Sequence, residues 1–138
     1  MITTGLQIRP AIGIHNGREI MCILLVEDEW LIRTIMAEEL VEAGFSVTSV
    51  ETGDEAMELL TQDPGFDVLV TDIHMPGKTD GISLARTVRQ RYPEVPIIYT
   101  TGRPDALDRA GLPGGRVLTL VKPYKPSRLI EAIRGVLS

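Results

Sequence analysis

Cysteine is almost missing from this chain. With one in 138 residues, no internal disulfide can form. Cys22 lies within an apolar run, so it reads as a small buried hydrophobe in a reducing compartment and not as a nucleophile. Basic character is also scarce. Lys and Arg number 14 against 19 Asp and Glu, the net charge is -5, the sequence pI is near 5.0, and no sustained basic run occurs. Such a surface is a poor match to a phosphate backbone, so nucleic acid is not expected as a direct partner. No apolar stretch approaches the roughly 18 residues needed to cross a bilayer. The N-terminus also lacks the charged-then-apolar order of a signal peptide. The expected compartment is the cytoplasm, with no membrane contact.

What is present is the pattern of a soluble domain, 43% hydrophobic and 24% charged. The first 20 residues mix glycines and prolines with no clean period and read as a loose or non-native extension, after which residues 21–138 form one domain. Within it, Cys22–Val26 is an apolar run of strand length. Glu29 to Ala43 then places Ile32, Ile35, Met36 and Leu40 on one helical face before Gly44. Phe45 to Val50 alternates like a strand near a sheet edge, and Asp54 to Leu60 is helical. Strands at Asp67–Thr71, Pro96–Thr100 and Val117–Val121 alternate with helices at Asp80–Arg91 and Ser127–Leu137. A short helix over Asp105–Ala110 is expected to be cut off by Gly111, Pro113, Gly114 and Gly115. Repeated β-α alternation with buried strands implies an α/β fold, a parallel sheet covered by helices on both faces.

Charged residues follow three of the apolar runs: Glu27-Asp28-Glu29, Asp72-Ile73-His74-Met75-Pro76 and Lys122-Pro123-Tyr124. Strand ends at one edge of a parallel sheet converge on one crevice. Three carboxylates gathered there repel one another unless a cation intervenes, and oxygen ligands of this kind suit Mg²⁺. Glu29 reads as a helix-start residue acting on the helix dipole. Asp72 is the candidate nucleophile toward a phosphoryl group, with Lys122 a point charge for the phosphoryl oxygens. Thr100 and Thr101 both end a strand. Thr101 is preferred for a phosphoryl contact because Gly102 beside it leaves room.

These motifs, with Thr101-Gly102, resemble the receiver domain of two-component response regulators, in its stand-alone form. The resemblance implies a flavodoxin-like, doubly wound (βα)5 three-layer sandwich with strand order 2-1-3-4-5. It implies Asp72 as phosphoacceptor, and Asp28, Asp72, Glu27 (largely through water) and the backbone carbonyl of His74 around Mg²⁺. Thr101 and Lys122 then sense and hold the phosphoryl group, and Lys122-Pro123 is cis. The implied partners are a sensor histidine kinase or histidine phosphotransferase and a downstream protein target, with a homodimer surface around strands four and five. The chain is then a signalling phosphoacceptor, not an enzyme in the ordinary sense. With no effector domain expected after Ser138, the signal would leave by protein contact.

Two departures stand out. Glu27 occupies a position that is often Asp. Thr119 occupies the position three before the lysine, where the family frequently has a switching aromatic; Tyr99 is either a substitute or core packing. Two rival readings compete. A haloacid dehalogenase-type phosphatase needs a second Asp two residues after the first, where this chain has His74. A non-phosphorylated docking module would keep the fold without needing the acids or Lys122.

Overall fold

The computed structural model describes residues 2–4, 14–15, 18–62, 65–75, 77, 79–104 and 113–138. In chain order the elements are β1 (Ile2–Thr4), β2 (Ile14–His15), β3 (Arg18–Glu19), β4 (Cys22–Val26), α1 (Trp30–Glu42), β5 (Ser46–Val50), α2 (Gly53–Leu60), β6 (Val68–Asp72), α3 (Gly81–Arg91), β7 (Ile97–Thr101), β8 (Val117–Val121) and α4 (Pro126–Leu137). Six strands form one sheet in the order β1-β5-β4-β6-β7-β8, with every pairing parallel. Counted from β4 onward, five of them run 2-1-3-4-5, the flavodoxin-like order. Ile2–Thr4 adds β1 in register with Val47–Ser49 of β5, while β2 and β3 make a separate antiparallel pair.

Each strand's composition matches its place. β6 and β7 are buried along their whole length, as strands covered on both faces must be. β5 (SVTSV) lies second from one edge, and β8 closes the other edge with Val117 and Val121 exposed. Alternate residues feed two cores. Ile23, Leu25, Val68, Val70, Ile98 and Leu120 pack with Met36, Leu40, Leu129 and Ile133 under α1 and α4. Leu24, Val26, Leu69, Ile97 and Tyr99 pack with Leu59, Leu60, Leu84 and Val88 under α2 and α3. Full burial of a Leu or Ile stabilises the fold by about 1.5–3 kcal/mol relative to exposure, so these two layers are the main source of cohesion.

Local chemistry sets the helix starts. Thr52 caps α2 by accepting from the Glu55 N–H at 3.1 Å, and Asp80 caps α3 by accepting from the Ser83 N–H at 2.8 Å. At α1 the N-cap Glu29 makes no side-chain cap bond; its own N–H donates to Glu27 Oε2 at 3.0 Å. One inward assignment is corrected. Ile35 is exposed, because Met36, Ala37 and Leu40 define the buried stripe and a helix turning about 100° per residue carries Ile35 outside it. The expected helix at Asp105–Ala110 lies outside the described residues.

The segment entering β8 is tied down from two sides. The Arg89 guanidinium, in the last turn of α3, donates to the carbonyls of Pro93, Val95, Gly114 and Arg116 at 2.7–3.2 Å. The Tyr99 hydroxyl donates to the Pro113 carbonyl at 3.3 Å. Tyr99 is therefore core packing in this conformation, with its polar tip satisfied at the segment it underlies.

Candidate functional site

The C-terminal ends of β4, β6, β7 and β8 bring Glu27, Asp72, Thr101 and Lys122 to one edge of the sheet. Glu27 and Asp72 are 2% and 6% exposed, so any charge they carry needs a partner. Lys122 provides it. Its Nζ lies 2.7 Å from Glu27 Oε1 and 2.9 Å from Asp72 Oδ2, a single ammonium bridging two carboxylates. The second Glu27 oxygen accepts from the Glu29 N–H, and the second Asp72 oxygen from the His74 N–H at 3.3 Å. Arg33, one turn into α1, donates to the Glu27 carbonyl at 2.9 Å and so fixes the corner between β4 and α1.

Asp28 completes the acidic group: one carboxylate oxygen each from Glu27, Asp28 and Asp72 lies within 4.8 Å of the others. An all-oxygen set of this size fits a hard divalent cation, with room for further ligands from water or substrate. Burial pushes the Glu27 carboxyl up from its ordinary range, although Lys122 and the Glu29 N–H pull it back. For Lys122, burial alone would lower the ammonium; hydrogen bonds and charge from Glu27 and Asp72 outweigh it, so the net shift is upward and the cation is held.

The two threonines at the end of β7 have different surroundings. Thr101 is fully buried; its Oγ1 accepts from the Arg103 N–H at 2.9 Å and its carbonyl accepts from the Lys122 N–H at 2.7 Å. Thr100 is paired in register with Asp72, and its carbonyl accepts from the Ile73 N–H at 3.1 Å. Strand alternation places Thr100 on the face of Ile98, as Asp72 follows Val68 and Val70. The Lys122–Pro123 peptide is cis, as the resemblance implies. His74 presents an exposed side chain.

Close backbone approach explains a glycine at the rim. Gly81 opens α3 and its N–H donates to the Ile73 carbonyl at 3.1 Å; a Cβ there would strike the Asp72 carbonyl oxygen. Its φ is not positive, so the need is for space and not for a left-handed backbone. Sequence reasoning gave no role to Gly81 or Arg33. Only Gly81 had a signal, a glycine at the mouth of a helix beside a strand-end acid.

Residues 23–134 match the family model for the response regulator receiver domain. The chain belongs to this family. Among curated relatives it is 32% identical over 116 residues to the transcriptional regulatory protein BaeR of Escherichia coli, covering 83% of this chain and 47% of that protein. It is 39% identical over 116 residues to the probable transcriptional regulator ycf27 of Guillardia theta, covering 83% and 44%. The chain thus spans about half the length of the curated relatives it matches. Among solved structures, a response regulator receiver protein from Sinorhizobium medicae superposes with a TM-score of 0.78 at 33% identity, covering 86% of this chain and 94% of that one. The response regulator TrrA of Thermotoga maritima, solved with Mg²⁺ and BeF, superposes with a TM-score of 0.72 at 27% identity, covering 85% and 99%. Receivers act in two-component signalling, and this one keeps the flavodoxin-like fold with an acidic pocket able to hold a metal. Among the described residues, no helix is long and apolar enough to cross a membrane.

Proposed function

We propose that this receiver takes a phosphoryl group from a phosphohistidine onto Asp72 in a Mg²⁺-dependent step and passes the signal on by protein contact. The observation that carries this reading is the Lys122 ammonium bridging Asp72 and Glu27 inside a three-carboxylate oxygen cluster. A purely structural sheet edge gains little from burying two acids. In the proposed step an Asp72 carboxylate oxygen attacks phosphorus as the bond from phosphorus to the donor imidazole breaks, forming an aspartyl-phosphate. Glu27, Asp28, Asp72 and the His74 carbonyl would hold Mg²⁺, which supplies charge neutralisation on the transferring oxygens. Lys122 turns its ammonium from the free carboxylate to the new phosphoryl oxygens, and Thr101 exchanges its Arg103 contact for one of them. The added charge of roughly two negative units biases the ends of β7 and β8 toward a second arrangement.

The donor in this reading is a sensor histidine kinase or histidine phosphotransferase. Trp30, 67% exposed, and Leu31, 60% exposed, open α1 directly after Glu27–Glu29 in the chain and, with the exposed Ile35, are assigned as an apolar surface for that donor. The downstream target, or a second copy of the chain, is assigned to the face around β7 and β8, and the compartment to the cytoplasm. Incubation with acetyl phosphate and Mg²⁺ followed by intact mass tests the reading. One added phosphoryl on the wild type, and none on Asp72→Ala, is expected. An unlabelled wild type refutes it in favour of a non-phosphorylated docking module, and equal labelling of Asp72→Ala refutes Asp72 as the acceptor.

A further inference from the structure

Asp28 differs from the other two carboxylates of the pocket in how it is held. Lys122 grips Glu27 and Asp72, whose second oxygens accept from the N–H groups of Glu29 and His74. Among the described residues, no hydrogen bond or ion pair reaches the Asp28 carboxylate. Its place within the 4.8 Å spread of the cluster is therefore set through its backbone. Neighbouring carboxylates repel one another, so without that hold Asp28 would turn away from the other two.

Both peptide planes that flank Asp28 are tethered. The plane after it carries the Glu29 N–H, which donates to Glu27 Oε2 at 3.0 Å. The plane before it carries the Glu27 carbonyl, one residue past the last paired residue of β4, and this oxygen accepts from Arg33 Nη1 at 2.9 Å. The Arg33 backbone N–H donates at 2.9 Å to the Glu29 carbonyl, so Arg33 closes the acidic turn from both its main chain and its side chain. A residue has only two soft dihedrals, and fixing the planes on either side of Asp28 fixes the direction of its Cβ.

Nothing else in α1 favours a cation here. The helix has no acidic residue in its first turn to pair with Arg33, and a positive charge near a helix N-terminus opposes the macrodipole. Arg33 is half-buried all the same. A charged donor makes a hydrogen bond roughly twice as strong as a neutral one. The planar guanidinium also holds its direction better than a lysine ammonium. What the placement gains is the bond to the Glu27 carbonyl.

We infer that Arg33 is a positioning residue for the divalent cation: by tethering the Glu27–Asp28 peptide it aims the Asp28 carboxylate at the metal, a role exercised through the backbone and not by ligation. That role rests on the metal site of the phosphoacceptor reading, while the tether itself is a feature of the fold. The sign of the effect separates positioning from charge. Arg33 brings a positive charge to the turn that carries two of the three acids, so on charge alone its removal would tighten cation binding. Loss of the tether acts the other way.

The test compares the full chain with Arg33→Met, which keeps an unbranched stem and good helix propensity but loses the donors and the charge. Mn²⁺ stands in for Mg²⁺, since it shares the preference for carboxylate and carbonyl oxygen and its free form is counted directly by electron spin resonance. No phosphodonor is present. The Kd for Mn²⁺ should rise about tenfold in Arg33→Met, the scale of one lost hydrogen bond. Amide exchange at Glu29 should quicken while the amides of β4 stay as in the wild type. A Kd equal to or below the wild-type value overturns the positioning role. Weaker binding with faster exchange throughout β4 also overturns it, because the loss is then one of the whole fold. Unchanged exchange at Glu29 overturns the tether. A wild type that binds no Mn²⁺ overturns the metal site and the role of Arg33 together, whereas one that binds Mn²⁺ yet takes no phosphoryl group from acetyl phosphate overturns the phosphoacceptor reading alone.

Discussion

Replacing Gly81 with alanine isolates the closest backbone approach in the site. An added Cβ would stand 2.8 Å from Ile73 Cα and 2.9 Å from the Asp72 carbonyl carbon, nearer still to the Asp72 oxygen, where ordinary contacts run 3.4–4 Å. These neighbours are backbone atoms, so no side chain can rotate away. The start of α3 must retreat from the end of β6 by an amount on the order of 1 Å, and overpacking of this kind costs about 1–3 kcal/mol. Alanine's better helix propensity recovers at most about 1 kcal/mol, and less at the first helical position. The steric term wins, leaving a net loss of about 2 kcal/mol. Urea unfolding with an unchanged slope would register this as a lower midpoint. Gly135, within α4, supplies the contrast, since a Cβ added there would meet nothing within 4 Å: Gly135→Ala should gain about 0.5–1 kcal/mol. Because the retreat also moves Asp72 relative to Lys122, phosphoryl uptake should slow in Gly81→Ala and not in Gly135→Ala. Equal or greater stability for Gly81→Ala would refute the reasoning, since propensity would then outweigh the close approach.

Removing the bridging cation should be costly for a different reason. Lys122→Met leaves Glu27 and Asp72 buried and facing each other, and an orphaned buried charge costs about 3–5 kcal/mol when nothing relaxes; Glu27, already pushed up by burial, can instead take a proton, so a loss of about 2 kcal/mol at pH 7 is expected that narrows toward pH 5. Equal losses in urea melts at both pH values would contradict this. At the alkaline end, burial first and foremost pushes both Tyr99 and Tyr124 up to about 12. A folded value above the unfolded one of 10 means that their contribution is fully present below pH 10 and is lost as pH rises toward 12. Phenolate absorbance should show these two hydroxyls ionising only as the fold is lost. Their titration near pH 10 in the folded protein would be the contrary result.

The sheet was readable because its strands are short apolar runs bounded by turn residues: Cys22–Val26 and Val117–Val121 coincide with the expected ranges, and β5, β6 and β7 start one residue later than expected. α3 begins at Gly81 because Asp80 serves as its cap, a boundary shift of one residue. Periodicity failed at Ile35 because α1 is apolar on both sides, and the burial stripe is decided by the sheet it packs on. At the site, the acids and Lys122 were legible as charges following apolar runs. The grip of Thr100 and Thr101 on neighbouring turns was not, since register between non-adjacent segments leaves no mark in a single sequence. Gly81 carries the same lesson: a requirement for space is invisible until the opposing backbone is known.

Cys22 and Trp30 each occur once as their residue type, and they sit on opposite sides of β4 along its length. The thiol begins the strand, half-buried and outside any disulfide, and the indole follows its end beside the acids. Five strand residues separate the sheet's two rims by about 17 Å. The native chain therefore carries a donor chromophore at the pocket and a singular attachment point for an acceptor dye at the far rim. Energy transfer between them would follow movements of the first turn of α1 without any engineered probe in the pocket.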